Sequence, residues 1–441
     1  MRALCALAMA AAVAACAGND ENRPALRGLP EQSGERVSVL TVDTDLEPDE
    51  SLEDVTILLP RPYVNTAWPQ PGGVPSHALY HLDLPPKLDQ VWAADMGRGN
   101  DRFSRLIGEP VSDGKRLYAI DTRATITAVQ EQSGASVWRT QIERPGERQA
   151  IGFGGGVAYR DGRLYATTGL GILAALDADS GEILWQFDAT VPFRGGPSVA
   201  ENRVIAVTQD NQIFAVDAQT GEVVWDQFGL AEPAGTLGAS SPAIVGDTVI
   251  VALSSGELIA FRIENGTPVW QDTLSRTRRL TPLATLNDID GHPVVDRGRV
   301  FALSHSGRMV SIDLRSGERV WEKNIGGVGK PWIGGDFIYL MTVDNQLVAI
   351  TRSDGRVRWI RQLQRFKNQE KRRGVIRWAG PVLAGDRLVV ASSDGYLVTV
   401  SPYTGEFLSG QAFDAGTIVP PIVVDKTLYI LNNEARLLAY R

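Results

Sequence analysis

The stretch that decides the fold is residues 161–185, which read DGRLYATTGLGILAALDADSGEILW. A turn at Asp161-Gly162 precedes one apolar run, a second apolar run follows, and Gly181 stands four residues before Trp185. Short runs rich in apolar and β-branched residues, separated by Gly and Asp turns, are typical of antiparallel strands joined by hairpins. The stretch therefore predicts consecutive strands.

The same unit recurs along the chain, always with four residues from the Gly to the Trp. The six pairs are Gly134 and Trp138, Gly181 and Trp185, Gly221 and Trp225, Gly266 and Trp270, Gly317 and Trp321, and Gly355 and Trp359. A seventh unit has Gly405, but Ser409 stands where Trp is expected. Core packing of each Trp ring between neighbouring units is the expected role.

An eighth unit supplies two strands near residues 427–440 but lacks its last one. Residues 88–92 carry that missing strand, because they precede the first unit and have no strands of their own before them. Residues 87–441 divided by eight give about 44 residues per unit, the length of a propeller blade. The prediction is an all-β fold, an eight-bladed β-propeller of four-stranded antiparallel blades, closed by pairing of the N-terminal strand with the last blade.

Composition excludes one class of partner. The 441 residues carry a net charge of −8, and the sequence pI is about 5.3. Nucleic-acid binding needs a basic face that neutralises phosphates. We therefore expect no nucleic-acid partner.

The first fifteen residues, 1–15, predict an export signal, since one Arg precedes an Ala-rich apolar stretch too short to span a bilayer. Val13-Ala14-Ala15-Cys16 resembles the bacterial lipobox, which implies cleavage before Cys16 and lipidation of its thiol. The alternative is a plain secretory signal. Ala17, in place of an Asp retention signal, favours a lipid anchor in the outer membrane of a Gram-negative bacterium, facing the periplasm.

Residues 16–86 lack steady periodicity and are rich in Pro and acidic residues. They are interpreted as the lipidated N-terminus and a solvated tether, or alternatively as an acidic docking segment. Apolar residues at 58–63 and 68–70 could anchor part of it on the propeller, which is assigned to residues 87–441.

An enzyme is the main rival to a binding protein, because the Gly-to-Trp repeat resembles the quinoprotein propellers. Some of these are dehydrogenases that use pyrroloquinoline quinone (PQQ) and Ca²⁺, and the alcohol dehydrogenases place an adjacent pair of cysteines by the cofactor. This chain has only Cys5 and Cys16, and it shows no nucleophile motif. Its four histidines, His77, His81, His292 and His305, have no metal-ligand spacing. We therefore expect no catalysis, no cofactor and no metal.

The lipobox and a bare propeller of this size resemble the propeller lipoproteins of the outer-membrane β-barrel assembly machine. Residues 286–295 (LNDIDGHPVV) and 393–397 (SDGYL) carry the most specific matches. The resemblance implies binding to the polypeptide-transport-associated (POTRA) domains of the central barrel subunit, and assistance to nascent outer-membrane proteins. A PQQ-dependent periplasmic dehydrogenase and a scaffold of another envelope complex remain as alternatives.

The resemblance also implies the contact residues. Asp288 and Asp290 match an Asp-x-Asp pair in the family's binding loop, and Leu237 alone remains of the Leu-x-Leu-Arg pattern one blade earlier. The alternative for the Asp pair is a turn whose carboxylates accept from backbone amides. A basic run at residues 361–377, between blades six and seven, is either a solvated surface or a contact for anionic lipid or an acidic partner.

Overall fold

The protein is described from a computed structural model, which covers residues 46–144, 154–230, 240–274 and 288–441. Within these residues 34 strands form eight four-stranded antiparallel sheets and one two-stranded hairpin. First strands of adjacent sheets contact one another, so the sheets stand as blades around a common axis. The predicted eight-bladed β-propeller is confirmed.

Within each blade the strands are called A to D, from the axis outward. Blades 1 to 4 comprise β2 (Val111–Ser112), β3 (Arg116–Ile120), β4 (Thr125–Gln130) and β5 (Ser136–Gln141); β6 (Gly155–Arg160), β7 (Arg163–Thr168), β8 (Ile172–Asp177) and β9 (Ile183–Asp188); β10 (Ser198–Ala200), β11 (Arg203–Val207), β12 (Gln212–Asp217) and β13 (Val223–Phe228); and β14 (Ala243–Val245), β15 (Thr248–Ala252), β16 (Glu257–Arg262) and β17 (Pro268–Thr273).

Blades 5 to 8 follow the same order, and blade 8 takes its D strand from the N-terminal side of the chain. They comprise β18 (Val294–Asp296), β19 (Arg299–Leu303), β20 (Met309–Asp313) and β21 (Arg319–Lys323); β22 (Trp332–Gly334), β23 (Phe337–Met341), β24 (Gln346–Thr351) and β25 (Val357–Gln362); β28 (Trp378–Ala384), β29 (Arg387–Ser392), β30 (Tyr396–Val400) and β31 (Phe407–Ala412); and β32 (Ile422–Val424), β33 (Thr427–Leu431), β34 (Arg436–Tyr440) and β1 (Gln90–Asp95). The extra hairpin is β26 (Phe366–Asn368) with β27 (Arg373–Val375), and a single 3-10 turn spans Glu50–Leu52.

The fixed Gly-to-Trp spacing has a packing reason. Gly181 closes the turn between strands C and D with a φ of 76°, a conformation that favours glycine. A Cβ there would also lie 2.5 Å from the ring of Trp138 in the preceding blade. The indole Nε1 of Trp138 donates to the Ala178 carbonyl 3.1 Å away. Each Trp therefore docks on the C–D turn of the next blade, as predicted.

The missing tryptophan at Ser409 follows from the same geometry. Blade 8 receives its D strand, β1, from far along the chain, so no tight C–D turn joins it to β34. A Trp in blade 7 would therefore find no docking glycine, and Ser409 instead shares a 2.8 Å hydrogen bond with Thr399. Trp92 in β1 does dock, because a Cβ on Gly134 of blade 1 would lie 2.6 Å from its ring. The predicted ring closure is confirmed.

The ring has two different faces. The A–B and C–D turns lie on one side, here called the turn face, and the B–C turns and inter-blade loops lie on the other, the loop face. This division follows from antiparallel pairing of four successive strands, because alternate connections emerge at opposite edges of the sheet.

Residues 65–84, here called the axial segment, follow the ring of A strands around its turn-face end. Their contacts run through the blades in order, from blade 8 to blade 7. They are Asn65 O with Asp425 N (2.8 Å), Trp68 N with Ser112 O (2.9 Å), Pro69 O with Tyr159 N (2.6 Å), Gln70 Oε1 with Val199 N (3.2 Å), Pro75 O with Ile244 N (2.7 Å), Ser76 O with Val295 N (2.9 Å), Tyr80 O with Trp332 Nε1 (2.6 Å) and Leu82 N with Leu383 O (3.1 Å). Every blade contributes a partner.

The prediction of a solvated tether is therefore wrong for this part of the chain. Trp68 is 1% exposed, and Leu79, Leu82 and Leu84 belong to the largest apolar cluster of the core. The segment lacks a period of two because its hydrogen-bonding groups bond to eight separate blades instead of forming a strand of their own. The prediction that anchors at residues 68–70 pack on the propeller is confirmed. Within residues 58–63, Leu59 packs against the same core cluster, whereas Leu58 is 75% exposed.

Candidate partner-binding face and axial polar cluster

Two of the predicted functional residues lie outside the described residues. Cys16 belongs to residues 1–45, and Leu237 belongs to residues 231–239 in the loop between blades 3 and 4. Lipidation and the Leu237 contact therefore stay predictions. The Asp pair is described, and it lies in the loop between blades 4 and 5 on the loop face.

Asp288 and Asp290 come together on one guanidinium group. Arg194, from the loop that leads into blade 3, forms an ion pair with Asp288, and its Nη2 lies 3.1 Å from Asp290 Oδ1. The same Nη2 donates to the Ile289 carbonyl at 3.2 Å. Arg194 therefore connects the entrance loops of blades 3 and 5 across blade 4.

Burial distinguishes the two carboxylates. The side chain of Asp288 is 1% exposed and that of Asp290 is 10% exposed, while Arg194 is 4% exposed. Removing one partner of a buried ion pair leaves an uncompensated charge, which typically costs about 3–5 kcal/mol. In this conformation the pair holds the loop in place, and Asp290 is the more exposed of the two carboxylates. A direct contact between these carboxylates and a partner stays a prediction.

A second polar group, here called the axial cluster, lies inside the ring and was not predicted. Glu109 precedes strand A of blade 1 and His292 precedes strand A of blade 5, so they come from opposite sides of a ring of eight. Glu109 Oε1 and His292 Nε2 are 3.0 Å apart. This contact bridges the channel across its axis.

The axial segment completes the cluster. Its Gly72 N–H donates to Glu109 Oε2 at 2.8 Å, and its Gly72 carbonyl accepts from Lys330 Nζ at 2.8 Å. The His77 ring packs against the His292 ring with centroids 5.1 Å apart, and its Nδ1 lies 2.7 Å from the Pro293 carbonyl. The propeller therefore holds this segment through charged groups as well as through backbone bonds.

The hydrogen bonds define the tautomer of His292. Its Nδ1 accepts from the Ser241 N–H at 2.8 Å, so the ring proton of the neutral form is on Nε2 and points to Glu109. The Ser241 hydroxyl in turn donates to the Gly196 carbonyl at 2.8 Å. Loops that lead into blades 1, 3, 4 and 5 are thus connected in one network.

Burial and charge shift the pKa values in this cluster. Burial raises the pKa of Glu109, but the hydrogen bond and charge of His292, the charge of Lys330 and the Gly72 N–H outweigh it, and the pKa is lowered to about 2. Burial lowers the pKa of Lys330 to about 8, against the opposing effect of Glu109. Burial, with His292 and Lys330 nearby, holds the pKa of His77 well below 6.5. At neutral pH Glu109 is ionised and His77 is neutral.

A signal for these residues does exist in the sequence. In seven blades a Pro directly precedes or begins the apolar part of strand A, and the residue before that Pro lies at the axis. The seven residues are Glu109, Gly196, Ser241, His292, Lys330, Gly380 and Pro420. The Gly-to-Trp spacing describes only the outer strands of each blade, so it gives no information about the residues that precede strand A at the axis.

Metal-ligand clusters and membrane-spanning helices are both absent from the described residues. Residues 46–144, 154–230, 240–274 and 288–441 contain no group of three or more His, Cys, Asp or Glu side chains placed to hold a metal ion. Over the same ranges no helix is long and apolar enough to cross a membrane.

Comparison with known proteins identifies the family. A family model described as outer membrane protein assembly factor BamB matches residues 122–361. BamB of Salmonella typhimurium is 33% identical over 347 residues, which cover 77% of this chain and 85% of that protein. BamB of Escherichia coli is 32% identical over the same shares of the two chains.

Solved structures share the fold. A crystal structure of BamB from Moraxella catarrhalis has a TM-score of 0.64 at 21% identity, covering 80% of this chain and 98% of that one. The quinohemoprotein alcohol dehydrogenase of Comamonas testosteroni has a TM-score of 0.65 at 16% identity, over 85% and 80% of the two chains. The structural likeness shows the fold alone, and the sequence relationship shows the family: the chain belongs to the BamB family of outer membrane protein assembly factors.

Proposed function

We propose that this protein is a non-enzymatic scaffold in the assembly of outer-membrane β-barrel proteins. The observation that carries the proposal is the relationship to assembly factors, which spans 77% of this chain and 85% of the Salmonella protein. The proposed partner is the central barrel subunit, bound through its POTRA domains by the inter-blade loops of the loop face. The proposed location is the periplasmic face of the outer membrane, with a lipid anchor on Cys16.

The loop face supports this role because contacts between blades hold the described parts of its inter-blade loops in place. Arg194 braces the Asp288–Asp290 loop, so the loop keeps its shape before a partner binds. A binding surface held in place on a scaffold avoids part of the entropic cost of association. Asp290, which is 10% exposed, is the member of the pair that we propose for direct contact, and Asp288 is the member that positions the loop.

Affinity purification from detergent-solubilised membranes tests the proposal. The unaltered protein should recover the central barrel subunit, and failure to recover it under gentle conditions would contradict the assignment. Asp290→Lys should abolish recovery, and circular dichroism should show that the variant still folds, although loss of the carboxylate beside the buried Arg194 lowers its melting temperature. The matched control is Asp336→Lys, which makes the same charge change at an 86% exposed side chain on the turn face. Equal loss in both variants would exclude the loop face as the interface.

The lipid anchor has its own test. Mass spectrometry of the mature protein should find diacylglycerol and an acyl chain on Cys16, and Cys16→Ala should release the protein into the periplasmic fraction. A mature chain without lipid would support the plain secretory signal instead.

A quinone-dependent dehydrogenase is the rival function, favoured by the structural likeness to a quinohemoprotein alcohol dehydrogenase. The Glu109 carboxylate, a candidate cation ligand at the axis, is bound instead to His292 and to the Gly72 N–H. Incubation with PQQ and Ca²⁺ followed by a dye-linked alcohol or sugar oxidation assay decides between the two. The scaffold proposal expects no turnover, and sustained dye reduction would overturn it.

A further inference from the structure

The basic run between blades 6 and 7 folds as a projecting hairpin. Strands β26 and β27 pair Phe366 with Val375 and Asn368 with Arg373. Residues 367–375 are all exposed, and the hairpin leaves the ring between β25 and β28, on the loop face. The sequence prediction that the basic run lies between blades 6 and 7 is confirmed. The hairpin is two blades away from the Asp288 loop.

The hairpin concentrates positive charge on an acidic protein. Residues 365–377 contain six basic side chains and Glu370 as the one acid, a net charge of +5, while the whole chain carries −8. The other residues therefore carry −13. Such a separation gives this part of the surface an electrostatic field opposite in sign to that of the rest.

Ion pairs among the described residues neutralise only two of these six basic side chains. Arg365 lies 2.7 Å from Asp344, and Lys367 forms an ion pair with Asp394. Within the described part of the chain the remaining four cations have no ion-pair partner. They are Lys371, Arg372, Arg373 and Arg377.

Apolar side chains accompany the cations. Val375 is 67% exposed. The Phe366 ring is half-buried, with the Arg365 guanidinium 5.8 Å from its centroid. A cleft at the hairpin is lined by Arg365, Phe366, Gln369 and Arg372. Two guanidinium groups beside an aromatic ring provide donors for a phosphate and an apolar surface beside it.

We propose that this hairpin binds the anionic headgroups of a membrane surface. Clusters of four to eight basic residues with adjacent apolar side chains are typical of protein surfaces that contact anionic lipids. Four cations, on the turn, on the second strand and just after it, are exposed to solvent, which suits a fluid layer of phosphates better than a single rigid partner. The inference goes beyond the proposed scaffold function and can be tested without the barrel subunit.

Vesicle co-sedimentation provides the test. The full chain carrying Cys16→Ser, which cannot be lipidated, is mixed with vesicles of phosphatidylcholine alone or with 30% phosphatidylglycerol. We expect binding to the phosphatidylglycerol vesicles only, and this binding should weaken as salt is raised from 50 to 500 mM because the Debye length shortens. No binding at low salt would overturn the proposal.

Charge reversal locates the contact. Each basic residue near an anionic surface strengthens binding by about fivefold, so the triple variant Lys371→Glu, Arg372→Glu and Arg373→Glu should lose on the order of 100-fold or more. The three side chains are exposed, so an unchanged melting temperature is expected. The matched control reverses three exposed lysines on the turn face, Lys87, Lys115 and Lys426. Equal loss in the control would assign the effect to net charge and overturn the proposal.

An acidic polypeptide is the competing occupant. Retention of the chain on polyglutamate, with loss in the hairpin variant but no binding to phosphatidylglycerol vesicles, would overturn the lipid assignment in favour of that partner.

Discussion

Replacing Glu109 with Gln tests whether the axial cluster holds the axial segment in place. Gln keeps the size of the side chain and can still accept the Gly72 N–H, but it removes the negative charge beside Lys330. Lys330 is half-buried, and its Nζ donates to the Gly72 carbonyl at 2.8 Å. The substitution therefore leaves a partly buried ammonium group without its counter-charge.

The magnitude follows from the two responses open to Lys330. If it stays charged, breaking a buried charge interaction costs about 3–5 kcal/mol. If it loses its proton at pH 7, the cost is smaller, because the pKa of Lys330 in the unaltered protein is already lowered to about 8, and one pH unit corresponds to about 1.4 kcal/mol. Lys330 takes the less costly response, and neutral Gln also makes weaker hydrogen bonds to Gly72 and His292, so we expect Glu109→Gln to lower the free energy of unfolding by about 1–3 kcal/mol.

Guanidinium unfolding and hydrogen exchange measure the two consequences. The global transition should shift to lower denaturant, and the backbone amides of residues 65–84 should lose protection first. Lys330→Met in the same chain removes the unpaired charge, so the double variant should be more stable than Glu109→Gln alone. A single variant within 1 kcal/mol of the unaltered protein, or a double variant equal to the sum of the two single effects, would refute the coupling.

Three further outcomes follow from the fold. Trp92→Ala removes the ring that packs against Tyr429 with centroids 5.6 Å apart, and thermal unfolding should show a loss of about 3 kcal/mol, whereas an unchanged midpoint would mean that β1 is not needed for closure. Ser409→Trp should change the free energy of unfolding by no more than about 0.5 kcal/mol, since no docking glycine faces it, and a clear gain would contradict this explanation. The free energy of unfolding should decrease as the pH is lowered below 6.5, because the unfolded chain protonates His77 while the native protein keeps it neutral. It should decrease again as the pH is lowered from 4.5 to about 2, because the unfolded chain protonates Glu109 at a higher pH than the native protein does. In unfolding experiments at pH 5 to 7, His77→Gln should flatten the first slope, and an unchanged slope would exclude His77 as its source.

The ring was predictable from the sequence because each blade repeats the same local chemistry. Gly181 and Trp185 lie four residues apart, and their spacing encodes both the C–D turn and the docking of the next blade. The closing role of residues 88–92 followed from an incomplete last unit. The sequence showed that position 409 has Ser where Trp is expected, but the reason became clear only from the topology of blade 8.

The axial cluster was not predicted because its members are distant in sequence, and the Pro that follows Glu109, His292 and Lys330 shows only that these three share a position in the blade, not that they meet. Glu109 and His292 are 183 positions apart, and Arg194 and Asp288 are 94 apart. A single sequence shows each of these residues as an isolated charge in a loop. Only the ring places opposite blades within hydrogen-bond distance.

The axial segment imposes an order on the maturation of the molecule. Synthesis produces residues 65–84 before any blade, yet the Asn65 amide donates to the Val423 carbonyl, 358 positions later. The segment cannot reach its final place until the last blade has formed, so the earliest part of the propeller to be translated is the last to be sequestered. Resistance of this segment to protease therefore reports whether the propeller is complete. In truncated or partly folded chains a protease can cleave the segment, whereas in the fully folded protein it is protected.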